Sequence, residues 1–266
     1  MNNKNISIIG IPFDENSSYK KGPAQAPKLI KESLYSHSSN MYTESGTNLN
    51  KIKNWSFKEE IKFNSNTDFF KEIETNIESL LNQDDKVISL GGDHSITYPI
   101  ISAFSKKYKD LTILHFDAHP DLYDELDGNK FSHASPFARI MENQLSKRLI
   151  QVGIRTLTEH QKEQAEKFNV EIIDMKNINK FKELKIEGNL YISFDLDCLD
   201  PAFAPGVSHF EPGGMSTREV LSIIQELDVN LVGADIVEYN PTNDINGMTS
   251  MVSSKILKEL LDKMIK

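Results

Sequence analysis

Short apolar runs alternate along this chain with segments in which apolar residues recur every three to four positions. ISIIGI, KVISLGG, LTILHFD, LIQVGI, VEIID, LYISFDLD and LVGADIVEY read as strands. Between and after them, Pro27 to Tyr35, Tyr98 to Tyr108, Ser135 to Glu142, Thr158 to Phe168, Thr217 to Leu227 and Met248 to Met264 carry helical periodicity. Strands that are apolar on both faces and separated by helices predict a mainly parallel sheet covered on each side, an α/β class with a single three-layer α/β/α domain over residues 1–266. Ser216 or Thr217 with Glu219, and Thr158 ahead of Gln161, supply helix caps. The stretch from Ser36 to about Lys58, rich in Ser, Asn and Thr, reads as a surface loop or insertion.

Polar residues break this pattern at the carboxyl ends of the apolar runs. Asp117, His119 and Asp121 recur at every second position behind LTILHF, which sets them on one face. Asp195 and Asp197 follow LYISF, His94 follows KVISLGGD, and Glu238 follows LVGADIV. In an open parallel sheet ligands bind beyond those strand ends, so four strands are expected to bring their polar residues to one rim. A lone DxD after a strand is as often a turn as a ligand pair. Several carboxylates crowded together would raise one another's pKa unless cations sat among them, and that favours a metal site. Oxygen-rich ligation with two imidazoles and no thiolate favours manganese over zinc.

Composition narrows the classes. A net charge of -9, with no Lys/Arg cluster, argues against nucleic-acid binding and suits a small cationic substrate. Cys198 is the only cysteine, which excludes an internal disulfide and fits inert packing in a reducing compartment. No apolar stretch approaches the roughly 18 residues of a membrane span. A first strand starting at Ile6 leaves little room for an export leader, so the expected location is cytoplasmic.

Together GGDHS, FDAHPD, SFDLDCLDP and GADIVEYNP resemble the metal-binding blocks of the ureohydrolases, the arginase and agmatinase family, in that family's order. The resemblance implies two manganese ions, one held by His94, Asp117, Asp121 and Asp195, the other by His119, Asp117, Asp195 and Asp197. Asp117 and Asp195 would bridge them, and two cations lower the pKa of a shared water enough to attack a guanidinium carbon near neutral pH. It further implies that His133, in KFSHASPF, shuttles protons to the leaving amine and that Glu238 holds the guanidinium. A homo-oligomer, trimer or hexamer, is also implied.

The resemblance divides over the substrate. Where many arginases carry an Asn after the DAHxD block and an Asp after VGxR, this chain has Tyr123 and Thr156. Both changes resemble agmatinases, whose substrate has no α-carboxylate. The stretches YDELDGNKFSHASPFARIME, APGVSHFEPGG and LVGADIVEYNP look closer to plant-type arginases, in which Asn129, Ser132 or His209 could replace the missing contacts. Agmatine, cleaved to putrescine and urea, is the first expectation. L-Arginine is the alternative, and a guanidinobutyrase or formiminoglutamase activity stands further off. His115 is expected to hydrogen-bond behind the ligands or to pack in the core, Asp93 and Asp200 to serve as turn residues and supports behind the ligands, and His37 and His160 to be exposed.

Overall fold

The computed structural model describes residues 4–63 and 68–266. Eight strands form one sheet: β1 (Ile6–Gly10), β2 (Trp55–Phe57), β3 (Lys86–Leu90), β4 (Thr112–Phe116), β5 (Arg148–Ile154), β6 (Glu171–Asp174), β7 (Asn189–Asp195) and β8 (Asn230–Val237). Their order is β2-β1-β3-β8-β7-β4-β5-β6, and every pairing is parallel. Each connection must therefore cross over, and seven α-helices do so or close the chain: α1 (Ala26–Leu34), α2 (Phe69–Asn82), α3 (Thr97–Lys107), α4 (Pro136–Glu142), α5 (Glu159–Phe168), α6 (Thr217–Glu226) and α7 (Met248–Ile265).

Alternation along the strands divides the core into two slabs. Ile88, Leu90, Leu114, Phe116, Ile192 and Phe194 face α1, α6 and α7. Val87, Ile113 and Tyr191 face α2, α3 and α4 on the other side. Both faces of the sheet are buried, as a three-layer α/β/α architecture requires. The expected caps form as reciprocal capping boxes, Thr158 with Gln161 on α5 and Ser216 with Glu219 on α6. Among the described residues no helix is long and apolar enough to cross a membrane.

Two segments depart from the sequence expectation. The stretch 36–58 is more than a surface loop: Met41 and Leu49 are buried in the core beside α7, and Trp55–Phe57 extends the sheet as an edge strand on β1. Helix α2 is an element the pattern reading does not assign. Asp68 caps it and Ile73, Ile77, Leu80 and Leu81 form its buried stripe.

Candidate metal centre

The four polar strand ends belong to β3, β8, β7 and β4, which are consecutive in the sheet. Residues scattered from His94 to Glu238 are thereby set side by side at the carboxyl rim. The local backbone is built for this. Gly92 passes so close to the Phe13 carbonyl that any side chain there would overlap it. Asp121 and Glu238 both sit in the left-handed region, at φ 49° and 62°. Such a conformation costs a non-glycine residue about 1–2 kcal/mol, and it turns both carboxylates towards the rim.

His94 is fully buried, and its Nδ1 lies 3.2 Å from Asp117 Oδ2, 3.0 Å from Asp121 Oδ2 and 3.1 Å from Asp195 Oδ2. Despite this crowding Nδ1 has no hydrogen-bond partner. A buried nitrogen ringed by three carboxylate oxygens, and bonded to none, has the arrangement of ligands converging on a shared cation. The opposite ring edge fixes the tautomer. Nε2 meets Ser193 Oγ at 3.0 Å, and the Ser193 hydroxyl donates to Asp235 Oδ1 at 2.8 Å, so Nε2 carries the proton and Nδ1 offers its lone pair.

A second cluster adjoins the first. His119 Nδ1 lies 3.0 Å from Asp197 Oδ2 and 3.4 Å from Asp117 Oδ1. Asp117 thus presents one oxygen to each histidine, and Asp117, His119 and Asp197 could together hold an ion. Backbone amides of His119, Ala118 and Asp197 donate to Asp117, Asp197 and Asp195 respectively and so orient the carboxylates, with Oδ2 of Asp197 turned to His119 and Oδ2 of Asp195 to His94.

Without a cation the carboxylates disturb one another. Burial, then the charges of Asp197 and Asp117, push Asp195 well up, and burial pushes Asp197 up to about 6. Burial would also raise Asp117, but His115 and its neighbouring histidines hold it well below the usual range. Such divergence within one cage is what two divalent charges would remove. His115 acts from behind, donating from Nε2 to Asp117 Oδ2 at 2.7 Å while Gln151 donates to its Nδ1.

Above the clusters lies a cavity of about 320 Å³, near the lower end of ligand-site volumes. Its wall includes His119, Asp121, Asp195, Asp197, His133 and Glu238. His133 is buried, with Nδ1 2.9 Å from Glu238 Oε1 and Nε2 2.8 Å from Ser18 Oγ. Burial pulls the imidazole down, but the Glu238 carboxylate overrules it and raises His133 to about 9. Glu238 also accepts from the His94 amide at 2.9 Å.

Tyr123, Thr156 and His209 line the same cavity. Asn129, expected at the substrate, turns elsewhere: its amide donates to Asn16 Oδ1 at 3.0 Å and so ties the 124–132 loop to the segment after β1.

A model of the "Arginase family" matches residues 4–262. This chain belongs to the arginase family. Family members are metal-dependent amidino hydrolases that work with a binuclear metal site, and the two histidine-carboxylate clusters could bind such ions. Over 98% of this chain and 81% of the relative, identity with "Arginase 1, mitochondrial" of Arabidopsis thaliana is 43%. Against the agmatinase of Bacillus cereus it is 31%, over 96% and 90%. Among solved structures, the arginase from Medicago truncatula superposes with a TM-score of 0.91 at 38% identity, over 98% of this chain and 88% of that one.

The residue types above announce most of this arginase-family centre, but not all. Asp235 is an unexpected member, fully buried within β8 and accepting from Ser193, Tyr191 and Thr97. A carboxylate inside an apolar run was its signal. Arg155 was another: its guanidinium donates to the Asp197 and Glu211 carbonyls, tying the β7 end to the end of β5. Ser18 carried no signal in the sequence.

Proposed function

We propose that this protein hydrolyses the guanidino group of L-arginine, releasing urea and ornithine, with two manganese ions. The observation that carries the reaction is that Asp121 and Asp195, which surround the buried His94, and His119 and Asp197 of the second cluster share one cavity wall with Glu238. His94, Asp117, Asp121 and Asp195 would hold one ion, and His119, Asp117, Asp195 and Asp197 the other. When bound, the ions supply Lewis acidity and a nucleophile from water at neutral pH.

The chain's own groups do the rest. Glu238 accepts paired N–H donors of the planar guanidinium and turns its carbon towards the cage. Water adds to that carbon, the bond to the side-chain nitrogen breaks, and the leaving amine takes a proton. His133 supplies it: Glu238 keeps the ring charged and Ser18 orients it. Burial of these groups beside the cage excludes bulk water from the exchange.

The choice of arginine over agmatine rests on the 43% identity with a plant arginase against 31% with an agmatinase, each along nearly the whole chain. One observation favours agmatine instead. Tyr123 and Thr156 line the cavity, and among the described residues no Lys or Arg does so to meet a carboxylate. The deciding measurement is kcat/KM for each substrate with manganese present. A ratio above ten in favour of L-arginine is expected, and a ratio below one would sink the proposal.

Asp235 offers a second check. Replacing it by Asn should leave the fold intact by circular dichroism while weakening manganese binding by roughly ten- to a hundredfold, because one neutral amide oxygen then serves the Ser193, Tyr191 and Thr97 hydroxyls that two carboxylate oxygens served, and the hold on the Ser193–His94 hydrogen bond weakens. Unchanged affinity in a titration would mean that Asp235 only packs.

A further inference from the structure

One buried amide in the cavity wall has a donor to spare. Gln161, on the first turn of α5, is 3% exposed and lines the cavity wall. Its Oε1 is committed to the capping box, where Thr158 N and Thr158 Oγ1 both donate to it at 3.4 and 3.1 Å. Donors at that end require the acceptor oxygen there, so the amide orientation is settled by chemistry. Nε2 is left as the free end: the bonds to Thr158 use the side-chain oxygen and the backbone amide, and the nitrogen stands at the cavity wall.

Its surroundings favour an anion. Thr156 and Thr158 stand beside it on the cavity wall, and the unpaired amides of a ten-residue helix begin here. The opposite part of the wall, formed by Asp121, Asp195, Asp197 and Glu238, is acidic and suits only a cation. A ligand with a positive end and a negative end therefore fits in one direction.

Sheet order supports the reach. Glu238 follows β8 and Gln161 follows β5, with β7 and β4 between them. Both line the one cavity, so a single extended ligand can touch each of them.

We infer that Gln161 Nε2 and the start of α5 bind the α-carboxylate of the substrate, so that Gln161 determines specificity for arginine over its decarboxylated amine. The inference rests on the arginine reading above and supplies the carboxylate contact that Tyr123 and Thr156 leave open. Tyr123 is held at this end by its stack on His160, at 5.8 Å and 8° between ring planes, and Asp124 pairs with that imidazole at 3.0 Å.

Gln161→Glu tests it cleanly. Glutamate at this position keeps an oxygen for the capping box, so α5 should form as before. It replaces the free donor with a second acceptor, which repels a carboxylate. With manganese-loaded enzyme, kcat/KM for L-arginine should fall roughly ten- to a hundredfold, mainly through KM, while that for agmatine stays within twofold or rises. An arginine value within twofold of the unsubstituted enzyme, or an equal fall for both substrates, would overturn the inference alone. Preference of the unsubstituted enzyme for agmatine would overturn the substrate reading and the inference together.

Discussion

Removal of divalent ions with a chelator should lower urea release by at least about a thousandfold, and added manganese should restore it. The size follows from what the ions contribute, several kcal/mol of charge stabilisation together with a nucleophile, at tenfold in rate for each 1.4 kcal/mol or so. Activity surviving within tenfold after thorough stripping would end the two-metal proposal. Asp117→Ala should go further and lose both ions, since Asp117 presents one oxygen towards His94 and the other towards His119. Elemental analysis after dialysis should find less than one ion per chain in that variant.

The same cage predicts how metal and pH act on stability. In metal-free protein Asp197 is pushed up to about 6 by burial and Asp195 is also raised. A carboxyl whose folded pKa is raised contributes stability below its unfolded pKa near 4, and that contribution is lost as pH rises through the folded value. Metal-free protein should therefore weaken between about pH 4 and 6, where the ions, which compete with those protons, begin to bind. At a hundred times the dissociation constant, binding adds about 2.7 kcal/mol, which for a chain of this size is a rise in Tm of roughly 5–10 °C. A calorimetric scan at pH 7.5 showing no rise on manganese addition would contradict it.

The sheet and its rim were legible because parallel strands write themselves as apolar runs and polar residues at their ends stand out against them. His94, Asp117, Asp195 and Glu238 needed only the rule that ligands gather beyond strand ends, and the order β3-β8-β7-β4 makes those ends neighbours. Asp93 and Asp200 fit the turn roles expected of them, each accepting backbone amides of a neighbouring bend. The edge strand Trp55–Phe57 was not legible, since three residues, two half-buried about the exposed Ser56, are too few to establish a period of two. Helix α2 does carry a legible signal, a stripe of Ile73, Ile77, Leu80 and Leu81 behind the Asp68 cap.

What stayed hidden was tertiary. Ser18 reaches His133 from 115 positions away, and nothing local distinguishes it from the serine next to it. Asn129 has the chemistry of a substrate contact, yet it stands outside the cavity wall and gives one N–H to Asn16 and its oxygen to the Phe131 amide. His160 keeps the partial exposure expected of it and also stacks on Tyr123. Gln161 read as an ordinary capping residue, and only its burial in the cavity wall gives the spare amide nitrogen a purpose. Residue type announces what a group can do, while its partners decide what it has left to offer.

His133→Ala should lower kcat by roughly a hundred- to ten-thousandfold while the protein keeps its metal, the reverse of the Asp117 result. The pairing with Glu238 explains why a buried imidazole can still carry the proton. Burial opposes the charge, but the carboxylate 2.9 Å away holds the ring protonated to about 9 in the metal-free protein. A histidine whose folded pKa is raised contributes stability that is full below about 6.5 and is lost as pH rises through the folded value. The shift from the ordinary 6.5 corresponds to on the order of 3 kcal/mol. Urea unfolding of metal-free protein should therefore find the unsubstituted chain more stable than His133→Ala at pH 6, with the gap closing towards pH 10. A gap that stays constant across that range would mean the Glu238 pair does not hold the proton. Metal loss in His133→Ala equal to that in Asp117→Ala would mean that His133 belongs to the cage and not to the leaving amine.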